Sequence, residues 1–331
     1  MEIKCPYCCP LNTNLSENQT LIRKTGSFSR QSDRKKVQRF FCLICQRSFS
    51  VGTRSTCYRQ KKRHLNQRVN RLQVAGVSQR ETARMLGINR KTVVRKFIFL
   101  GRRAQHLLSK QNKRHNPALK IQFDDMETFE HTKCKPLSIT LAVEDETRRI
   151  LGFEVSQMPA KGHLSLISRK KYGLRADLRP QARAKLFQTL KSLVHPESIM
   201  KSDQNPHYPP DVKRFFPDSR HFTYKGRRGS IVGQGELKKI GFDPLFSLNH
   251  TCATLRERIN RLKRRTWSTT KKPERLALHL ALTAYHHNKS LNLKTQLKGP
   301  VYITYMTKRS LYLPPEPERR SEASSDHRNY R

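Results

Sequence analysis

Two short cysteine turns set the strongest constraint on how this chain begins. Cys5-Pro6-Tyr7-Cys8 and Cys42-Leu43-Ile44-Cys45 each bring two thiols one turn apart. Such a turn spaces two thiolates by a metal's width, and two turns complete a tetrahedral zinc site. Arg39-Phe40-Phe41 before the second pair and Arg47-Ser48-Phe49-Ser50 after it supply aromatic and strand-forming residues for a small ribbon. Residues 1–52 cannot fold on a core of their own, so structural zinc held by Cys5, Cys8, Cys42 and Cys45 supplies the stability in this reading. Cys9 follows Cys8 and competes with it as the ligand. Cys57, Cys134 and Cys252 stand alone and read as packing residues or free thiols.

Charge narrows the partners. The 331 residues carry 68 Lys+Arg against 25 Asp+Glu, a net charge of +43. A compact state with that excess repels itself unless a polyanion shares it, and nucleic acid fits best. A secreted enzyme for neutral substrates is excluded on the same ground. No apolar run approaches the roughly 18 residues of a membrane span, and Met1-Glu2-Ile3-Lys4-Cys5 has no signal-peptide core. Paired thiols in such a chain predict metal rather than disulfides and a cytoplasmic, nucleoid-associated location.

The next segment, residues 53–108, reads as a basic connector followed by a helix-turn-helix. Gly76-Val77-Ser78 ends one helix, and Ser78 caps the next with Glu81 three residues on, a capping box. Thr82, Ala83, Met85 and Leu86 make a short amphipathic helix, and Gly87-Ile88 a tight turn. Asn89 caps a second helix over residues 90–97 that buries Val93, Val94 and Phe97 and offers Asn89, Arg90, Lys91 and Arg95 outward. A short helix, a glycine turn and a basic second helix suit the major groove of double-stranded DNA. Residues 109–120, with Asn, Pro and cations, read as a linker.

In a chain poor in acids the positions of the acids inform. Asp124-Asp125 follows a short apolar strand, Ile121-Gln122-Phe123. A hairpin over residues 137–155, a helix over 178–194 and a buried strand ending at Asp203 come next, then a strand over 221–224, a basic Gly-rich stretch over 225–241, and helices over 249–265 and 274–287. Strand-Asp, hairpin, helix, strand-Asp and late helix is the order of an RNase H-like core over residues 121–288: an α/β fold with a mixed sheet flanked by helices. Two acids at strand ends suit phosphoryl transfer with two divalent ions, Mg²⁺ or Mn²⁺, held by carboxylates. Residues 289–331 form an extension, Pro-, Ser- and charge-rich after about 314 and expected to be disordered.

On three blocks the chain resembles bacterial DDE transposases, closest to the type of the short insertion sequence named "one": Asp124-Asp125-Met126, Lys201-Ser202-Asp203, and residues 248–262 with the pattern Leu255-Arg256-x-x-Ile259-x-Arg261-Leu262. That type also carries an N-terminal zinc ribbon and a helix-turn-helix. The resemblance implies binding to the terminal inverted repeats of an insertion sequence, metal-dependent cleavage at the element's end, and attack of the freed 3′-hydroxyl on target DNA. It implies catalytic Asp124 and Asp203 and a homodimer or higher oligomer on DNA. A Glu is expected at the start of the last block, where this chain has Asn249. Either Asn249 is a neutral third ligand, or Glu257, about two turns on, takes the role, or the protein is a catalytically impaired, sequence-specific DNA-binding derivative. Arg227 and Arg228 in the Gly-rich stretch are expected to hold phosphates beside the site. No Gly-Lys-Ser/Thr follows those glycines, so no nucleotide cofactor is expected.

Overall fold

A computed structural model describes residues 3–8, 21–31, 35–225, 243–263 and 268–296. Cys9, Arg227, Arg228, Glu236, Trp267 and the C-terminal extension after 296 lie outside the described residues.

The N-terminal part is a three-stranded antiparallel sheet of β1 (Ile22–Arg30), β2 (Lys35–Cys42) and β3 (Ser48–Ser50). Its apolar core consists of Phe40 and Phe49, direct cross-strand partners whose rings stack 5.6 Å apart, together with Cys5 and Cys42. The basic connector is not featureless: it holds two short 3₁₀ turns and buries Leu65.

Three helices follow: α1 (Asn66–Val74), α2 (Gln79–Met85) and α3 (Arg90–Asn112). Ser78 and Asn89 cap α2 and α3 through hydrogen bonds from the N–H groups of Glu81 and Lys91. The expected capping box is half formed, because the Glu81 carboxylate turns outward to Arg84 at 2.7 Å. Val93 and Phe97 are fully buried, while Met85 is 56 % exposed. The expected linker is shortened from both ends, by α3 and β4: α3 continues to Asn112, because Leu108 enters the sheet core and the Asn112 amide donates to the carbonyls of Ile150 and Leu151. Composition read these residues as solvated, and tertiary packing absorbs them.

The larger part is α/β, with a five-stranded mixed sheet in the order β6-β5-β4-β7-β8. Its strands are β4 (Ala118–Phe129), β5 (Pro136–Glu144), β6 (Ile150–Gln157), β7 (Val194–Asp203) and β8 (Arg220–Tyr224). β4, β5 and β6 form an antiparallel meander, and β7 and β8 add on the other side in parallel. Helices α4 (Leu164–Tyr172), α5 (Arg179–Leu190) and α6 (Tyr208–Phe215) are joined by α7 (Phe246–Arg258) and α8 (Pro273–Gln296).

Both faces of the sheet are covered, as a sheet with parallel central strands requires. On one face Phe123, Met200 and Ile121 pack with Leu186 and Phe187 of α5 and Tyr208 and Val212 of α6. On the other, Met126, Ile139 and Leu141 meet Leu248, Cys252 and Leu255 of α7 and Leu276 and Leu280 of α8. Gly101 lets α3 lie close on α8: a Cβ there would come within 2.7 Å of Leu278. Among the described residues no helix is long and apolar enough to cross a membrane.

Candidate active site

The cysteine cluster is the simpler of two sites. The Sγ atoms of Cys5, Cys8, Cys42 and Cys45 lie within 4.8 Å of one another. Cys5 Sγ is 3.5 Å from Cys45 Sγ, and Cys8 Sγ is 3.5 Å from Cys42 Sγ. Four thiolates at about 2.3 Å around zinc would stand ~3.8 Å apart, so the donor set suits a metal such as zinc. Cys8 is the member of the cluster, in company with Cys5, Cys42 and Cys45. Burial works against the Cys5 thiolate, but the N–H groups of Cys8 and Tyr7 outweigh it and bring the thiol down to about 7. Burial, followed by the neighbouring thiols, pushes Cys8 and Cys45 upward. Four thiols that cannot all ionise unaided invite a cation.

The acidic site lies where β4 and β7 part. Parallel pairing sets Gln122 opposite Lys201, so Asp124 and Asp203 each stand two residues beyond a paired position on neighbouring strands. Side chains alternate along a strand, which puts both on the face covered by α7. Asp124 is not at a strand end, as the sequence suggested, but near the middle of the long strand β4. It ends the parallel pairing and not the strand, because β5 continues to pair with β4 as far as Phe129.

Burial and then the charge of Asp203 push the Asp124 carboxyl up to about 7. Its Oδ1 accepts the Tyr208 hydroxyl at 3.1 Å and the Asp125 N–H at 2.6 Å. Asp203 Oδ1 accepts the N–H of Asn205 at 3.0 Å. Asp125 points to the opposite face, where Thr140 donates to its Oδ1 and its Oδ2 is buried without a partner.

A polar layer two residues below fixes both strands to α7. Lys201 pairs with Asp145 at 2.7 Å, and Gln122 and Ser247 donate to Asp145 Oδ1 at 2.7 and 2.9 Å. Gln122 Oε1 in turn accepts the N–H of Leu248. Burial opposes the Asp145 charge, but Lys201 and Ser247 hold its carboxyl below the usual range.

Both expected third ligands lie on α7. Asn249 is exposed and donates its amide to Asp243 Oδ2 at 2.9 Å. Glu257 is exposed in the last turn of α7, with no hydrogen bond or ion pair to Asp124 or Asp203 among the described residues. The α7 side chain that senses the Asp124 charge is Cys252, whose thiol burial pushes up to about 12. The helix also stops at Arg258 instead of running to 265, with Ile259 extended and a 3₁₀ turn at Asn260–Leu262. Asn89, at the cap, and Arg90, Lys91 and Arg95, on the first two turns of α3, are exposed.

Sequence reasoning missed Tyr208, Asp145 and Ser247. Asp145 looked like a turn residue, and nothing in its spacing signals Lys201. Tyr208, five residues after Asp203 in a Pro- and His-containing segment, offers only that proximity as a signal. Compared with known protein families and with curated proteins, the chain matches none.

Proposed function

We propose that the chain is a DDE-type DNA transposase whose RNase H-like core is the five-stranded sheet and whose DNA reader is the α2–α3 pair. The observation that carries this is the register of Asp124 and Asp203 on adjacent parallel strands, with the charge of one raising the proton affinity of the other. A strand order of meander plus two parallel strands, with acids on the central strand and its parallel neighbour, is the arrangement such a core needs.

The residues fit a divalent cation: two carboxylates share one face, and Asp124 retains its proton near neutrality for want of positive charge. Mg²⁺ or Mn²⁺ there would supply Lewis acidity for attack on a scissile phosphate and for departure of the leaving oxygen. The protein's own part is positioning. Asp124, freed of its proton, presents one oxygen while Tyr208 and the Asp125 N–H hold the other in place. The Asn205 N–H orients Asp203, and the Lys201–Asp145–Gln122 layer keeps the two strands and α7 in register. The exposed cations at the start of α3 would read or grip duplex DNA in the major groove. Two DNA ends must be joined, so the working form is a homodimer or larger assembly.

Strand cleavage and strand transfer on the element's own terminal repeats, with Mg²⁺ or Mn²⁺, test the reading. Asp203→Asn should abolish both while duplex binding persists. Full activity in that variant would overturn the assignment.

A second reading is favoured by Asn249, which stands where the resemblance expects a Glu and donates its amide to Asp243. In that reading the chain is an impaired transposase that binds element ends as a sequence-specific DNA-binding protein. It predicts tight end binding by the wild type and no nicking with any divalent metal.

A further inference from the structure

A cavity of about 420 Å³ lies between the α2–α3 pair and the start of α8. Arg80 and Arg90 line it from the helical reader, and Arg261, Lys271, Lys272 and Arg275 from the chain after α7. Among its described lining residues there is no carboxylate. Cations converging on one cavity repel one another unless an anion enters.

The walls are fixed by contacts that join the reader to the chain around α8. The Asn260 amide donates to the Gly76 carbonyl, in the turn that ends α1. Gly76 has φ +80°, and a Cβ there would come within 3.1 Å of the Arg258 carbonyl, so only glycine allows this approach. His279 Nε2 meets the Gln73 carbonyl at 3.2 Å, and its ring stands edge-on to Phe97. Arg261 places its guanidinium 5.8 Å from the centre of the same Phe97 ring. The back of the cavity, at Gly76, Arg261 and His279, is therefore held by fold contacts, while Arg80, Arg90, Lys271 and Lys272 reach it as exposed side chains.

Two groups in it lack what they need. His279 is 5 % exposed, lines the cavity, and its Nδ1 is buried with no hydrogen-bond partner. Arg261 lacks a carboxylate partner among the described residues, and burial, then the charge of Arg275, lowers it to about 10. Burial and the Arg261 charge likewise take His279 down to about 4. An oxyanion in the cavity would relieve both: it would offset the Arg261–Arg275 repulsion and give a protonated His279 Nδ1 an acceptor.

We propose that this cavity holds one backbone phosphate of the duplex that α3 reads. Arg90 connects the two roles, since it is the first residue of α3 and also lines the cavity. A phosphate seated there would lock the reader onto DNA in one orientation without contributing to sequence choice. The inference rests on the reading that duplex DNA is the partner. Its chemistry, a phosphate oxyanion, is shared with free inorganic phosphate.

The test uses the full chain and a duplex carrying the element's terminal repeat, titrated by fluorescence anisotropy over a range of salt. Arg261→Gln and Arg275→Gln should each weaken binding about tenfold and reduce the slope of log affinity against log salt by about one. The loss should be equal on unrelated duplexes, as for a contact that reads no base. Lys170→Gln, an exposed cation on α4, should leave the slope unchanged. Arg275 makes no ring contact among the described residues, so Arg275→Gln decides the matter if Arg261→Gln fails to fold. A parallel arm measures the melting temperature in inorganic phosphate against chloride at matched ionic strength. Wild-type slopes in both variants would overturn the proposal. If phosphate raised the wild-type melting temperature but not that of Arg275→Gln, while duplex affinity stayed equal, the site would be one for free anion and the DNA assignment would fall. A wild type that does not bind duplex would sink the DNA reading as well, whereas failure of the variants alone sinks only this inference.

Discussion

The cysteine ribbon and the five-stranded sheet solve the same problem by different means. The ribbon buries Phe40 and Phe49 and little else apart from its own cysteines, so its order depends on what the thiols hold. The sheet buries apolar side chains on both faces, under α5 and α6 on one side and α7 and α8 on the other. One part has a small core around four thiols that could hold a metal; the other stands on burial. The difference teaches where this chain can be switched off without being unfolded.

The largest effect should come from breaking the ribbon. Cys42→Ala, or removal of metal by a chelator, should unfold the ribbon of β1 to β3 locally, since structural zinc contributes on the order of 10 kcal/mol to such a segment. Metal analysis should fall from about one zinc per chain to none, and amide exchange should rise in β1 and β2 but not in β4 or β5. Equal exchange in both parts would erase the contrast.

The reverse experiment strikes the sheet. Phe123 touches Phe187 edge-on at 5.2 Å and Tyr208 at 5.0 Å, and it is fully buried. Phe123→Ala should cost about 3–5 kcal/mol in denaturant melts while zinc content stays unchanged.

Next in size is the acidic pair, where the sheet is strained by its own site. Asp124 titrates near 7 when folded against 3.8 as its ordinary value. Its folded pKa is raised, so wild-type stability is fullest below that ordinary value and declines as pH rises through about 7. Asp124→Asn should therefore stabilise metal-free protein by up to a few kcal/mol at pH 8. The gain should shrink toward zero near pH 4. Thermal melts in chelator at the two pH values check this, and an equal gain at both would show that charge is not the cause.

The smallest effect probes the reader. Ser78→Ala removes the acceptor for the Glu81 N–H and should cost about 1 kcal/mol, leaving both zinc content and the acidic pair untouched.

Much of this was legible in the chain because local chemistry signals it directly. The thiol spacing announced the cluster, the alternation after Phe129 gave the hairpin, and Ser78 and Asn89 marked two helix starts. The remainder depended on tertiary contacts that leave no periodic trace. Leu108 and Asn112 extend α3 because the sheet core takes them in. Tyr208 reaches Asp124 across 84 positions of sequence. Asn249 was read by alignment with a motif, but its partner is Asp243, in the loop just before α7. A spacing argument can rank acids; it does not say which way a helix turns them.

The 23 residues of α3 span about 35 Å, starting at the exposed cations and ending where Asn112 is bolted to the β6 backbone. Such a rod has no hinge along its length. Whatever its first turn grips is held at a set bearing to the sheet, so under the proposed function two DNA ends would be brought together by moving whole protomers, as one turns a key by its bow and not by bending its shaft.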